Sequence, residues 1–262
     1  MKILILILFS LPLLAREYAY VLQRLEGHRF QIVAQKNEKI SSMPGSLMKP
    51  FTAFFLLEKD PHFFMEKKIY CRGRDPYGRK CWLPKGHGWI NLSSALAHSC
   101  NYYFQQISQG LSRQEFLHYL KENYAFPQDI FSYSPALFLG EKLSRPLVLK
   151  EISRLLDHLY YRLSQQDSVG QEVYRGLQLA TKEGTLKTMV QDVEKKSFWK
   201  VLAGKTGTTN WRNLSEGFVY LVLQDPTKKI FTLLYYEAGT MGGKVKLARL
   251  LNILERGMKH GR

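Results

Sequence analysis

Aromatic and β-branched residues cluster in Tyr18-Ala19-Tyr20-Val21-Leu22 and in Phe30-Gln31-Ile32-Val33-Ala34, which predicts two strands around a Gly27-His28 turn. Met43-Pro44-Gly45 then breaks the pattern, and Ser46 opens an apolar helical stretch that ends near Glu58. Pro61 to Leu92 reads as a loop-rich section carrying two cysteines. Helical spacing dominates from Leu92 to about Val193, with interruptions near Phe126-Pro127 and Ser134-Pro135. Strands return at Trp199–Ala203, at Glu216–Leu223 and at Lys229–Tyr236, the last two joined through Asp225-Pro226-Thr227 as a hairpin. From Lys244 to Leu254 apolar residues recur at helical spacing with cations opposite, an amphipathic helix suited to covering a sheet rather than lying on a membrane. The order predicts an α+β fold: one sheet assembled from both chain ends, with a mostly helical lobe inserted. A single domain is expected over 16–262, its sheet part at about 16–45 and 197–262 and its helical part at about 46–196. Internal repeats and low-complexity tracts are absent from the sequence.

Before the first strand, one basic residue, Lys2, precedes the apolar run Ile3–Leu14, which ends at Ala15. This reads as a signal peptide over 1–15, and the run is shorter than the ~20 apolar residues a spanning helix needs. The mature chain is therefore expected outside the cytoplasm. With 38 Lys+Arg against 22 Asp+Glu the chain carries +16. Export argues against nucleic acid as the partner of that charge. An anionic cell-wall polymer, a lipid headgroup surface, or plain solubility charge remain. Three cysteines in an exported chain imply one disulfide and one leftover thiol. Cys71 and Cys81 bracket a loop containing Gly, Arg and Pro and form the candidate pair, while Cys100 reads as a small packing residue. The seven histidines show no metal-ligand spacing, so a zinc enzyme is not expected.

Three short strings carry chemistry. Ser46 and Lys49 are three apart, so on a helix they share a face, and a serine hydroxyl becomes nucleophilic only when a base takes its proton. A lysine can do that if burial and a second cation bring its pKa down. At a helix start, Ser46 also offers a backbone N–H to a developing oxyanion. Ser99 and Asn101 supply a relaying hydroxyl and a substrate-binding amide if they lie on a turn between helices; read alone, they are better taken as helix caps. Lys205, Thr206, Gly207 and Thr208 follow at the end of a strand. The lysine supplies charge, the threonine hydroxyls bind a carboxylate, and Gly207 lets a substrate backbone lie close. The N–H of Thr208 would be the second oxyanion donor. Pro50 opposes a simple helix over this region because it removes a hydrogen bond.

In this order, Ser46-x-x-Lys49, Ser99-x-Asn101 and Lys205-Thr206-Gly207 resemble the motif set of penicillin-binding proteins and serine β-lactamases. The run Cys81-Trp82, Gly86-His87-Gly88, Asn91-Leu92, Ala95-Leu96 and Ser99–Phe104 resembles the surroundings of the second motif in class B penicillin-binding proteins, which implies a structural His87 that fixes the loop. Glu216–Tyr220 is similar to that family's next strand. Lys182-Glu183-Gly184-Thr185 is similar to the stretch preceding Lys-Thr-Gly, with no catalytic role carried over. A proline after the lysine, as at Pro50, is common in the family. The resemblance implies an antiparallel sheet packed by helices beside a helical lobe, with the cleft between them. It implies peptidoglycan D,D-transpeptidase-like acyl transfer through Ser46, with Lys49, Ser99 and Lys205 as catalytic partners and Asn101, Thr206, Gly207 and Thr208 binding substrate. Stem peptides and β-lactams are the implied partners, with no cofactor and no metal. The long N-terminal module of class B proteins has no counterpart in the resemblance, so no protein partner is carried over. A class D-like serine β-lactamase, a D,D-carboxypeptidase, and a β-lactam sensor or wall-binding module stand as alternatives. Class D enzymes usually place Val where Asn101 stands, and no class A Glu-x-x-Leu-Asn string occurs between Ser99 and Lys205.

Overall fold

A computed structural model describes residues 17–77, 80–211 and 213–260; the expected signal peptide over 1–15 lies outside them. No helix among the described residues is long and apolar enough to cross a membrane. Five antiparallel strands form the main sheet: β1 (Tyr18–Glu26), β2 (Arg29–Lys36), β7 (Lys200–Trp211), β8 (Leu214–Gln224) and β9 (Ile230–Ala238), in the order β2-β1-β9-β8-β7. Both ends of the chain thus build one sheet, as the pattern predicts. Two short ladders lie apart from it, β3 (Ser41–Ser42) with β6 (Leu147–Val148), and β4 (Ile69–Cys71) with β5 (Gly88–Ile90).

The central strands of the sheet are buried on both faces, and this is why they read as unbroken apolar runs rather than alternating ones. Along β8, Phe218, Tyr220 and Val222 join one core while Val219, Leu221 and Leu223 join the other. The second core is closed by the last helix, α9 (Leu247–His260), whose Leu250, Ile253 and Leu254 pack with Trp199 and Tyr235. The Trp199 indole donates to the Leu254 carbonyl at 3.3 Å. The expected covering helix is therefore confirmed in place.

The opposite face meets the helical lobe, made of α1 (Lys49–Lys59), α2 (Pro61–Glu66), α3 (Leu92–Ala97), α4 (Asn101–Ile107), α5 (Arg113–Asn123), α6 (Leu149–Ser164) and α7 (Ser168–Lys182), whereas α8 (Lys187–Lys196) joins α9 in the second core through Met189, Val190 and Val193. Every residue of α1 from Lys49 to Leu57 is buried, so this helix is apolar all round and forms the lobe's axis. The helix begins at Lys49, not at Ser46. Pro50 consequently falls in the first turn, where its missing N–H would have had no intrahelical partner. The opposition between Pro50 and helix formation disappears.

Two further expectations are corrected. Lys205-Thr206-Gly207 lies in the middle of β7, because β8 continues to pair with it as far as Trp211↔Leu214. Cys71 and Cys81 form no disulfide; Cys71, Cys81 and Cys100 are all free thiols. The β4–β5 pairing sets Cys71 opposite Gly88, and the loop folds back through a bond from Cys81 N to the Gly73 carbonyl at 2.6 Å. The two sulfurs are thereby turned toward His87, with Nδ1 at 3.7 Å from Cys71 and 3.5 Å from Cys81.

Candidate active site

Ser46 sits in a tight 3-10 turn, Gly45–Met48, that leads directly into α1. The turn is pinned from two sides: Gly45 N donates to the Gly140 carbonyl at 3.0 Å, and Thr52 Oγ1 donates to the Phe138 carbonyl at 2.9 Å. β7 runs alongside. Gly45 has φ +54°, and a Cβ there would lie 2.7 Å from the Thr208 carbonyl oxygen, so only glycine lets the turn approach the strand this closely.

Lys49 is 0 % exposed at the start of α1. Its Nζ reaches three acceptors, the Ser99 carbonyl at 2.8 Å, Asn101 Oδ1 at 2.5 Å and Ser99 Oγ at 3.3 Å. Lys205, also 0 % exposed, donates from the other side to Ser99 Oγ at 2.8 Å and to the Thr206 carbonyl at 2.9 Å. One hydroxyl therefore bridges two buried amines. Burial brings the Lys49 amine down to about 8, against opposing pulls from Cys100, Cys81 and Glu141. Burial, and then the charge of Lys49, pushes Lys205 well below the usual lysine range. A pair of cations this deep is costly, so the site favours one neutral amine near physiological pH.

Ser99 owes its position to the turn between α3 and α4. Its φ is +52°, a left-handed conformation that L-residues adopt at a cost of ~1–2 kcal/mol and keep only where the surroundings impose it. The surroundings do so here. Ser99 N donates to the Leu96 carbonyl at 3.2 Å, Cys100 N to the Ala95 carbonyl at 2.9 Å, and Thr185 N to the Ala97 carbonyl at 3.2 Å. Cys100, not Ser99 or Asn101, caps α4, its sulfur accepting from Tyr103 N at 3.4 Å. The capping role that Ser99 and Asn101 could have filled is taken by the residue between them, which frees both for the cleft.

Between sheet and lobe lies a cleft of about 520 Å³. Ser46, Ser99, Asn101, Thr206 and Thr208 line it. Lys49 and Lys205 lie beneath its surface, bonded to Ser99, and Gly207 contributes backbone in β7 without lining the cavity. β7 pairs with β8 on one side only and is an edge of the sheet, a place where an extended peptide can add as a further strand. Thr208 Oγ1 accepts from Gly242 N at 3.1 Å, which ties the strand to the turn before α9.

Several cleft residues lie outside the predicted site set. Thr185 bonds hydroxyl to hydroxyl with Thr206 at 2.8 Å, and Trp82, Glu141 and Lys244 line the walls. Of these Thr185 and Trp82 had a signal, in the Gly184-Thr185 and Cys81-Trp82 stretches already noted. Burial pushes the Glu141 carboxyl up, opposed by Lys49. Among the described residues, the one group of His, Cys, Asp and Glu side chains close enough to hold a metal is Cys71, Cys81, His87 and Cys100, behind the second motif rather than in the cleft.

The arrangement can activate a hydroxyl, relay a proton and bind an anion beside a strand edge. Residues 33–125, which include Ser46, Lys49, Ser99 and Asn101, match the family model for the penicillin binding protein transpeptidase domain. In fold the chain is similar to PBP2 of Pseudomonas aeruginosa (TM-score 0.71, 15% identity, covering 94% of this chain and 73% of that one). It is also similar to a class D β-lactamase from Sebaldella termitidis (0.63, 13%, 94% and 90%). A third likeness is to the C-terminal domain of the BlaR penicillin-receptor of Bacillus licheniformis (0.67, 20%, 92% and 90%). No curated protein sequence matches the chain. At such identities the likeness is one of fold.

Proposed function

From a chain with the fold of the penicillin-binding protein and serine β-lactamase superfamily, we propose a D,D-transpeptidase-like enzyme that acts through an ester on Ser46. Ser46 Oγ bonds to the carbonyl carbon of the penultimate D-Ala of a stem peptide while its proton passes to neutral Lys49 Nζ. The N–H groups of Ser46 and Thr208 face the oxyanion. As the amide C–N bond breaks, Ser99 hands a proton from the buried amines to the departing D-Ala nitrogen. An amine of a neighbouring stem peptide, or water, then displaces Ser46 and completes the cycle. Asn101 holds a substrate amide, and Thr206, Thr208 and the cation Lys244 receive the terminal carboxylate, with Lys205 acting from beneath through Ser99. A β-lactam follows the first half of this path, its ring C–N bond taking the place of the peptide bond.

The observation that carries the proposal is Ser99 Oγ held between two fully buried lysines, 3.3 Å from Lys49 and 2.8 Å from Lys205, at the floor of the cleft that Ser46 lines. A carbamylated Lys49, the class D route to hydrolysis, fits poorly, since its Nζ is already committed to the Ser99 carbonyl and Asn101 Oδ1. Substrates at the cell wall place the enzyme outside the cytoplasm, where its +16 charge favours anionic wall polymer.

Mature protein mixed with a fluorescent penicillin tests the proposal. A covalent adduct that persists for many minutes, absent in Ser46→Ala, is expected; no adduct overturns the enzyme reading, and rapid turnover replaces it with a β-lactamase. Glu141 favours a hydrolytic second half, because a half-buried carboxylate in the cleft can activate water. In that case Glu141→Gln prolongs the adduct, and an unchanged lifetime excludes the role.

A further inference from the structure

Besides the cleft, α4 borders a further pocket of about 400 Å³, and large aromatic side chains stand in solvent around it. The β4–β5 ladder sets Tyr70 opposite Trp89. Their neighbours Ile69, Cys71 and Ile90 are buried, so the hairpin already gives one face to the core. On the other face Tyr70 and Trp89 remain 48 % and 71 % exposed. Their rings meet edge to face, with centroids 5.4 Å apart and planes at 69°, and each is thereby held in place without a ligand. Apolar surface gathered in this way beside polar groups marks a binding site.

Three kinds of group meet in this pocket. Tyr70 and Trp89 supply ring surface. Lys67, Lys68 and Arg72 supply positive charge, and among the described residues no carboxylate pairs with any of the three. Asp75 and Gln106 supply hydrogen bonds: the Tyr102 hydroxyl donates to Asp75 Oδ2 at 3.1 Å and orients that carboxylate, while the Gln106 carboxamide is bonded to no other described group. A pyranose ring suits the combination. Its axial C–H groups form an apolar, slightly positive face that stacks on the negative face of an aromatic ring, and the hydroxyl and acetamido groups at its edge take donors and acceptors. The cations suit carboxylates carried by an acidic glycan. An anionic lipid surface would meet the Asp75 carboxylate as a like charge, and an apolar peptide would make no use of the three cations.

We propose that this pocket binds a glycan strand of the cell wall, a chain of N-acetylated amino sugars bearing carboxylates, with sugar rings stacked on Tyr70 and Trp89 and carboxylates on Lys67, Lys68 and Arg72. The choice of polymer rests on the enzyme reading above, since the stem peptides that react with Ser46 hang from such strands. α4 joins the two places: Asn101, its first residue, lines the cleft, and Tyr102 and Gln106 line the pocket. A strand docked here keeps its stems beside the cleft and raises their effective concentration at Ser46. Lys67 carries the surface on to the exposed Phe63, its Nζ lying 5.0 Å from that ring's centroid. The site has no signature along the chain, because only strand pairing sets Tyr70 beside Trp89.

The test titrates the full chain with uncrosslinked glycan strands whose stems have been removed by an amidase, which leaves a free carboxylate on each muramoyl residue. Chitin oligosaccharide, a glycerol-phosphate polymer and anionic vesicles are run in parallel. Saturable binding of the glycan strands is expected, weaker for chitin oligosaccharide, which has the sugar faces without the carboxylates, and weaker as salt is raised. Trp89→Ala should reduce the affinity about tenfold or more, as loss of an aromatic anchor does, and Trp89→Phe should keep most of it. Lys68→Gln combined with Arg72→Gln should bring the glycan strands down to the level of chitin oligosaccharide. Because Trp89, Lys68 and Arg72 are exposed, these variants should melt with the parent; a variant that does not is set aside, and the comparison of ligands on the parent chain decides. No binding of glycan strands, or binding that Trp89→Ala leaves unchanged, overturns the proposal. So does equal or tighter binding of the glycerol-phosphate polymer or of vesicles, which would make the surface a general polyanion or membrane contact. Penicillin labelling of the parent is read alongside: its absence removes the enzyme reading and leaves the glycan affinity to stand, whereas lost affinity with labelling intact removes only the glycan site.

Discussion

The two walls of the cleft are held by different means. The wall carrying Ser46, Lys49 and Lys205 belongs to α1 and β7, where burial is continuous, and Lys49 to Leu57 are covered without exception. The wall carrying Trp82, and the turn carrying Ser99, lean on the segment from Lys67 to Ile90, with its exposed aromatics and short strands. On the first wall, position is over-determined by many contacts. On the second it depends on a few groups, chiefly the cluster around His87. Changes to the first wall should therefore remove chemistry while leaving the fold in place, and changes to the second should remove placement.

The largest effect is expected on the first wall. Lys49→Met keeps the length and most of the volume of the buried chain but removes the amine. If Lys49 is the base, penicillin labelling should fall by roughly 10²–10⁴-fold, the range typical of losing a positioned proton acceptor. Two acceptors, the Ser99 carbonyl and Asn101 Oδ1, lose their donor, at a cost of about 1–3 kcal/mol against which the removed burial penalty of the amine is offset. A thermal melt close to that of the parent, together with the lost labelling, would locate the defect in chemistry. Labelling at the parent rate would remove Lys49 from the mechanism.

The same lysine predicts a pH profile. With its amine at about 8, the neutral fraction that can accept the Ser46 proton falls about tenfold for each pH unit below that value. Labelling should rise with pH up to about 8 and then level off, reporting the coupled Lys49–Lys205 pair rather than one residue. A flat profile from pH 6 to 9.5 contradicts the assignment.

A smaller effect is expected at the seam between the turn and β7. Gly45→Ala forces a Cβ against the Thr208 carbonyl at a left-handed φ, and relief requires the turn to move away from the strand. We expect about 1–3 kcal/mol of lost stability and labelling slower by roughly ten- to a hundredfold, as misplaced reacting groups typically cause. Parent-like values for both would show that the close approach is not needed.

Much of the first wall was legible in the sequence, and the second largely was not, for the same physical reason. Ser46 and Lys49 are brought together by local helical spacing, and the sheet strands announce themselves through apolar runs such as Phe218–Leu223. The partners of Ser99 come from across the chain, and only the resemblance joined them. Where long-range contacts decide, the reading failed. The cysteine pair Cys71–Cys81 satisfied sequence proximity, yet strand pairing turned both sulfurs toward His87. Glu141 enters the cleft because Gly140 accepts from the Ser46 turn, a contact across about ninety residues with no local signature.

A residue remote from both walls supplies the control, with the smallest effect on labelling. Asp157 on α6 is largely buried; its Oδ2 accepts from Gln23 Nε2 at 2.9 Å and its Oδ1 has no partner. Burial pushes its carboxyl up to about 7, against weaker pulls from Gln23 and Arg154. The folded chain therefore binds this proton more tightly than the unfolded chain, whose carboxyl titrates near its ordinary value of about 4. Stability from the neutral form is complete below about pH 4 and is lost as pH rises through about 7, to a limit of ~4 kcal/mol. Asp157→Asn, which mimics the protonated acid, should melt with the parent at pH 4 and several degrees above it at pH 8, since ~1 kcal/mol corresponds to about 2–4 °C in a chain of this size. Labelling by penicillin should not change. A melting difference independent of pH would refute the buried proton, and altered labelling would mean that the sheet core and the cleft are coupled more tightly than the contrast between the two walls allows.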